Sequence, residues 1–245
     1  LIILIALAWL FTIGAHVQGW GQALNHDQLI DSGAGLWQTL GLFLVGWLMM
    51  VAAMMLPSSI PNFRQFAKVV ERSPRREVLG LSFLGGYVAR MTIFGVLLLV
   101  GDTLVHRLVE AWPWLRVRPW LIGGTVMILA GGFEMVCLAP GLRKDTEAIR
   151  GATDSNFGPA RATRLGDVLG VQQLRRCWPL MLLSFAVGMT NLFWMGALTI
   201  VMILGGSRGR GWRLAAAIAG AVLLSMGLFV IAQPDWLPAL WPIST

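Results

Sequence analysis

Long apolar runs separated by short polar stretches set the pattern of the chain. Six of these runs approach the roughly 20 residues that an α-helix needs to cross the hydrocarbon of a bilayer, where the backbone must satisfy its own hydrogen bonds. They cover 1–17, 36–56, 79–100, 120–139, 178–204 and 212–232. The second run ends at Pro57, which lacks a backbone donor and reads as a stop. The runs are continuous and do not alternate with a period of two, so they predict helices rather than strands of a membrane barrel. The longest polar connection runs from Pro140 to Cys177, and Leu165–Leu174 within it has the spacing of a short amphipathic helix. No internal repeat is visible. The chain opens inside an apolar run and without Met, which predicts a missing N-terminal portion. The expected fold class is all-α: a single polytopic membrane domain over 1–245, built as a compact bundle of about six transmembrane helices.

Composition sharpens this picture. Hydrophobic residues make up 56% of the 245 and charged residues only 13%, with a mean hydropathy of +0.70. An ordinary soluble domain carries about 25% charged residues. A net charge of +7 is compatible with a nucleic-acid partner, but the basic residues lie between the apolar runs and form no continuous face. They read instead as a topology signal. Arg64, Lys68, Arg72, Arg75 and Arg76 follow the second run, and a larger group from Arg143 to Arg176 follows the fourth. The opposite face has fewer, which predicts both termini on the cytoplasmic side, with the basic turn Gly205–Arg213 as a discordant feature. Tryptophans such as Trp37, Trp112, Trp120, Trp178 and Trp212 fall at run ends, the level of lipid headgroups. The bilayer is therefore the first predicted partner.

Ionisable groups within a bilayer are costly and call for a partner or a purpose. Arg90 in the third run, Glu134 in the fourth and Asn191 in the fifth meet that description. Counted from the cytoplasmic helix ends, Glu134 lies about 7 Å deep and Arg90 about 16 Å deep at the helical rise. An interhelical Arg90–Glu134 ion pair is the expectation, and an interhelical hydrogen bond is expected for Asn191. The two cysteines cannot make a disulfide framework. Cys137 ends the fourth run and Cys177 starts the fifth, so antiparallel helices would bring both to the cytoplasmic face. Met181 lies four residues beyond Cys177, and Met50 and Met54 are four apart, so each pair shares one helical face. Thiolate and thioether are soft ligands suited to Cu(I). Cysteine and methionine also serve as plain packing residues in an apolar bundle. His16, His26 and His106 share no spacing and read as solvated loop histidines. No nucleophile elbow, P-loop or zinc-protease helix is present, so no enzyme is expected.

Two stretches carry a family resemblance. One is Trp47-Leu-Met-Met50-Val-Ala-Ala-Met54-Met55-Leu-Pro57, continuing to Pro61. The other is Cys177-Trp-Pro-Leu-Met181, followed by Gly188-Met-Thr-Asn191-Leu-Phe-Trp194-Met195. Together they resemble the bacterial family of predicted metal-binding integral membrane proteins, a domain of unknown function. The resemblance implies a small multi-helix protein of the bacterial cytoplasmic (inner) membrane with a metal-related role. The chain is divergent: Gln173 and Arg176 stand where the family carries cysteines, and Leu138–Arg143 lacks the expected pair. Two functions follow. In the first, the chain is a non-catalytic structural or accessory subunit of a larger membrane complex, packed against other membrane subunits. In the second, it binds or passes copper through Met50, Met54, Cys177 and Met181, with Cys137 and Glu134 nearby.

Overall fold

The computed structural model describes residues 1–17, 36–112, 114, 118–136, 158–187, 192–206 and 211–233, with no strand among them. Seven helices account for nearly all of these residues: α1 (Ile2–Val17), α2 (Leu36–Val70), α3 (Arg76–Ala111), α4 (Pro119–Val136), α5 (Pro159–Val187), α6 (Leu192–Gly206) and α7 (Gly211–Ala232). The chain is all-α, as its apolar pattern predicts. Helices α2 and α3 contain stretches long and apolar enough to cross a membrane, while the apolar stretches of α1, α4, α6 and α7 are shorter.

The helix boundaries depart from the predicted runs in three places. Helix α2 passes through Pro57 and Pro61 and ends only at Val70. Pro57 has no N–H to give the Ala53 carbonyl one turn earlier. The Trp9 indole of α1 donates to that carbonyl at 3.1 Å, so a neighbouring helix supplies the bond that proline withholds. Helix α3 begins before Leu79 and continues past Val100 to Ala111. The run 178–204 is divided between two helices: α5 starts at Pro159, absorbs the predicted amphipathic segment 165–174 and ends at Val187, and α6 carries the rest. Seven helices thus replace the predicted six among the described residues.

Helix α2 lies at the centre of the bundle. Every residue from Met50 to Leu56 is buried, as expected for a segment that is apolar on all sides. Around it the most extensive helix pairings are α3 with α5 and α4 with α7. Both depend on glycine. A Cβ on Gly86 of α3 or on Gly166 of α5 would collide with the facing backbone carbonyl of the other helix. In the second pair, Gly124 meets Gly227 and Gly131 meets Gly220, so these helices run antiparallel. Small residues at such crossings let backbones approach closely.

The second half of α2 and the first halves of α3 and α5 form a lobe around aromatic rings. Phe66 stacks on Phe83 with centroids 4.0 Å apart, and Phe63 meets Phe83 and Tyr87 edge-on at 5.0 and 5.8 Å. At the other end of the α2–α3 contact, the buried Trp47 indole donates to the Met91 carbonyl at 2.9 Å and lies over Gly95.

Candidate metal-binding site

Helical spacing places the soft donors on two facing stripes. On α2, Trp47, Met50, Met54 and Ser58 succeed one another at intervals of three or four residues, and on α5 Gln173, Cys177, Met181 and Ser184 do the same. The structure brings the stripes together. The Ser184 hydroxyl donates to the Met50 thioether at 3.2 Å and lies 4.0 Å from the Met54 sulfur. Met50, Met54, Cys177, Met181 and Ser184 are all buried. Toward the lobe the stripes meet again, where the Gln173 side-chain amide donates to the Ser58 hydroxyl at 2.7 Å. Ser58 passes the chain on by donating to the Met55 carbonyl at 2.8 Å.

Cys177 is a free thiol, and its S–H donates to the Gln173 carbonyl at 2.8 Å, one turn back on its own helix. Glu134 of α4 is also buried, at 8% exposure, and lies close enough to Cys177 for their charges to interact. Tyr87 of α3 is a further electrostatic neighbour of Cys177 and lies beside Ser59 of α2. The Ser59 and Tyr87 hydroxyls are fully buried, and neither makes a well-formed hydrogen bond.

One expected pair is corrected. Arg90 joins Asp167 of α5, not Glu134: Nε donates to Oδ1 at 2.6 Å and Nη2 to Oδ2 at 2.8 Å. The pair is bidentate, and both side chains are about one-third exposed, at 34% and 35%. The reason is the α3–α5 crossing, which sets Arg90 against Gly170 and one turn of α5 away from the Gly166 contact. The Arg90 guanidinium, by its hydrogen bonds first and its charge second, holds the Asp167 carboxyl below the usual carboxylate range.

Cys137 and Asn191, two of the expected site residues, lie outside the described residues. Among the described residues no cluster of three or more His, Cys, Asp or Glu side chains could hold a metal ion. The donors that do converge are two thioethers and one hydroxyl, with the Cys177 thiol on the same α5 stripe, a set that suits a soft monovalent ion better than a hard divalent one. Sequence reasoning had Met50, Met54, Cys177 and Met181 but missed Ser184, Ser58, Ser59 and Tyr87. Ser184 lay within reach, since it continues the Cys177–Met181 stripe by three residues, and Ser58 continues the Met50–Met54 stripe by four. Tyr87 carried no such signal.

Comparison with known proteins adds one finding. A family model described as "PpoB2: Copper chaperone" matches residues 44–230, from within α2 to near the end of α7. Neither a curated protein nor a solved structure matches the chain.

Proposed function

The chain belongs to the PpoB2 copper chaperone family, and from that premise we propose that it is a non-catalytic membrane accessory protein that binds Cu(I) as cargo between α2 and α5. The observation that carries this reading is the approach of two thioethers, Met50 and Met54, to one buried hydroxyl on the stripe that bears Cys177 and Met181. Thioethers and a single thiolate neutralise Cu(I) without burying surplus negative charge, which an apolar interior would penalise. Binding requires the Cys177 proton to leave. Buried Glu134 is the nearby carboxyl of α4 on that side of the site.

A location in the bacterial inner membrane, with both termini cytoplasmic, is part of the proposal. Leucine, isoleucine, valine and phenylalanine side chains are exposed along α1, α3, α6 and α7, an outer surface suited to acyl chains. Helices α2 and α3, with 35 and 36 residues, are each over 50 Å long at about 1.5 Å per residue, against about 30 Å of hydrocarbon. The surplus is the aromatic lobe. In this placement Arg90, Asp167 and the basic turn Val70–Arg76 stand in water on the cytoplasmic side, with the metal site just inside the membrane boundary. Its partners would be other membrane subunits that receive copper.

The test is competition for Cu(I) against a chromogenic chelator, using purified protein in detergent. The parent should retain close to one equivalent. The Met50→Leu, Met54→Leu double variant and the Cys177→Ser variant should each lose at least about tenfold in affinity, roughly 1.4 kcal/mol. Retention of no Cu(I) by the parent, or equal retention by all three proteins, would sink the reading.

A further inference from the structure

The helices that frame the site are not joined equally. Helix α5 is knit to α3 backbone-to-backbone through Gly86, Gly166 and Gly170. The backbones of α2 and α5 hardly approach each other. What spans the gap between them is side chains: Ser184 with Met50 at the inner end, and Gln173 with Ser58 on the lobe side. The α2–α5 seam is therefore held by side chains rather than by close backbone approach.

Polar groups line this seam in a region otherwise made of aromatic and aliphatic side chains. The fully buried hydroxyls of Ser59 and Tyr87 face each other without a well-formed hydrogen bond. Burying a hydroxyl unsatisfied is unfavourable by about 1–3 kcal/mol, so each such group calls for an explanation. Tyr87 sits between the two helices: its ring meets Phe63 of α2, its backbone abuts Gly166 and Gly170 of α5, and Cys177 is an electrostatic neighbour of its hydroxyl. Ser59 follows Ser58 on α2 and Tyr87 abuts α5 within a turn of Gln173, so the two hydroxyls lie beside the Ser58–Gln173 contact.

We propose that the Ser58–Gln173 hydrogen bond closes a route from the aromatic lobe to Cys177 and the methionine pair, with the Ser59 and Tyr87 hydroxyls as its polar lining. The proposal rests on the copper reading for the identity of what passes, a soft monovalent cation. When the bond opens, α2 and α5 part along the seam, and a partly dehydrated ion exchanges water for the two hydroxyls before reaching sulfur. Gln173 and Ser58 are positioning residues in this scheme, not ligands of the stored ion.

The experiment uses a Cys137→Ser background, which leaves Cys177 as the sole thiol of the chain. Metal-free protein in sealed lipid vesicles is treated with a membrane-impermeant maleimide on either face, and alkylation of Cys177 is timed. Ser58→Ala and Gln173→Met, which keeps the side-chain bulk, should each speed alkylation from the lobe face by about tenfold, the scale of one lost net hydrogen bond. Ser184→Ala, which removes the inner contact, should leave that rate within about twofold. A circular-dichroism melt indistinguishable from the parent guards against general loosening. Unchanged rates in both seam variants, or acceleration only from the opposite face, would overturn the route. Alkylation involves no metal, so failure of the parent to retain Cu(I) would count against the copper reading alone.

Discussion

Met50 and Met54 owe their candidacy to a spacing of four, and Cys177 and Met181 owe theirs to the same spacing on another helix. Such pairs are legible because a helix returns to the same face within four residues. What no spacing conveys is which faces meet, and here Ser184 makes the connection by reaching Met50 across a sequence separation of 134. Gln173 lies one turn before Cys177 on the same stripe, so Gln173→Cys would set a second thiol beside the first. We expect that variant to bind Cu(I) at least about tenfold more tightly in chelator competition, a gain of roughly 1.4 kcal/mol. Weaker or unchanged binding would mean that the ion does not sit against that part of α5. Arg90 teaches the opposite lesson. A charge in an apolar run signals a need for a partner, but the sequence pointed to Glu134, and only the α3–α5 crossing gave Arg90 to Asp167.

At the level of elements, proline and glycine carried the largest differences between pattern and fold. Pro57 reads as a terminator because it withholds a donor, yet α2 continues because Trp9 replaces that donor from α1. Trp9→Phe keeps the ring and removes the N–H. It should leave the Ala53 carbonyl unsatisfied and cost about 1–3 kcal/mol in detergent unfolding, whereas Trp37→Phe, at an exposed position, should be near neutral. The α4–α7 pair depends on backbone approach. A Cβ on Gly131 would lie 2.7 Å from the Gly220 carbonyl oxygen, an atom that cannot swing aside. Gly131→Val should therefore destabilise the protein by about 1–3 kcal/mol, measured in the same unfolding titration.

For the molecule as a whole, two predictions concern the lobe. Asp167 has its carboxyl held low by Arg90 in the folded state, so the pair stabilises the α3–α5 contact above the ordinary carboxylate value of 3.8. That contribution declines as pH falls through this value and then through the lower folded one, because the unfolded chain takes up the proton first. Its size should be under about 1 kcal/mol, since both side chains are a third exposed. Melting temperatures recorded between pH 6 and pH 3 should fall less steeply in Asp167→Asn than in the parent. The turn after α2 carries exposed Arg72, Arg75 and Arg76. Trypsin added to sealed vesicles should cut there from one face only, and cleavage from both faces or neither would remove the lobe from its proposed place in water.

The sequence by itself determined that the chain is helical and apolar, and it put the soft donors in pairs on two helices. These properties are local: they depend on residue type and on a period of 3.6, which any stretch of a dozen residues displays. Only the tertiary structure decided that α2 continues through its prolines, that α5 reaches back to Pro159, that Arg90 belongs to Asp167, and that Ser184 joins the sulfur atoms of Met50 and Met54. Each of those outcomes turns on a contact between residues far apart in the chain, where a carbonyl finds an indole or a glycine admits a neighbouring backbone. The period of a helix fixes which face a residue occupies, but the energy of burying that face against a particular partner exists only once the helices have met.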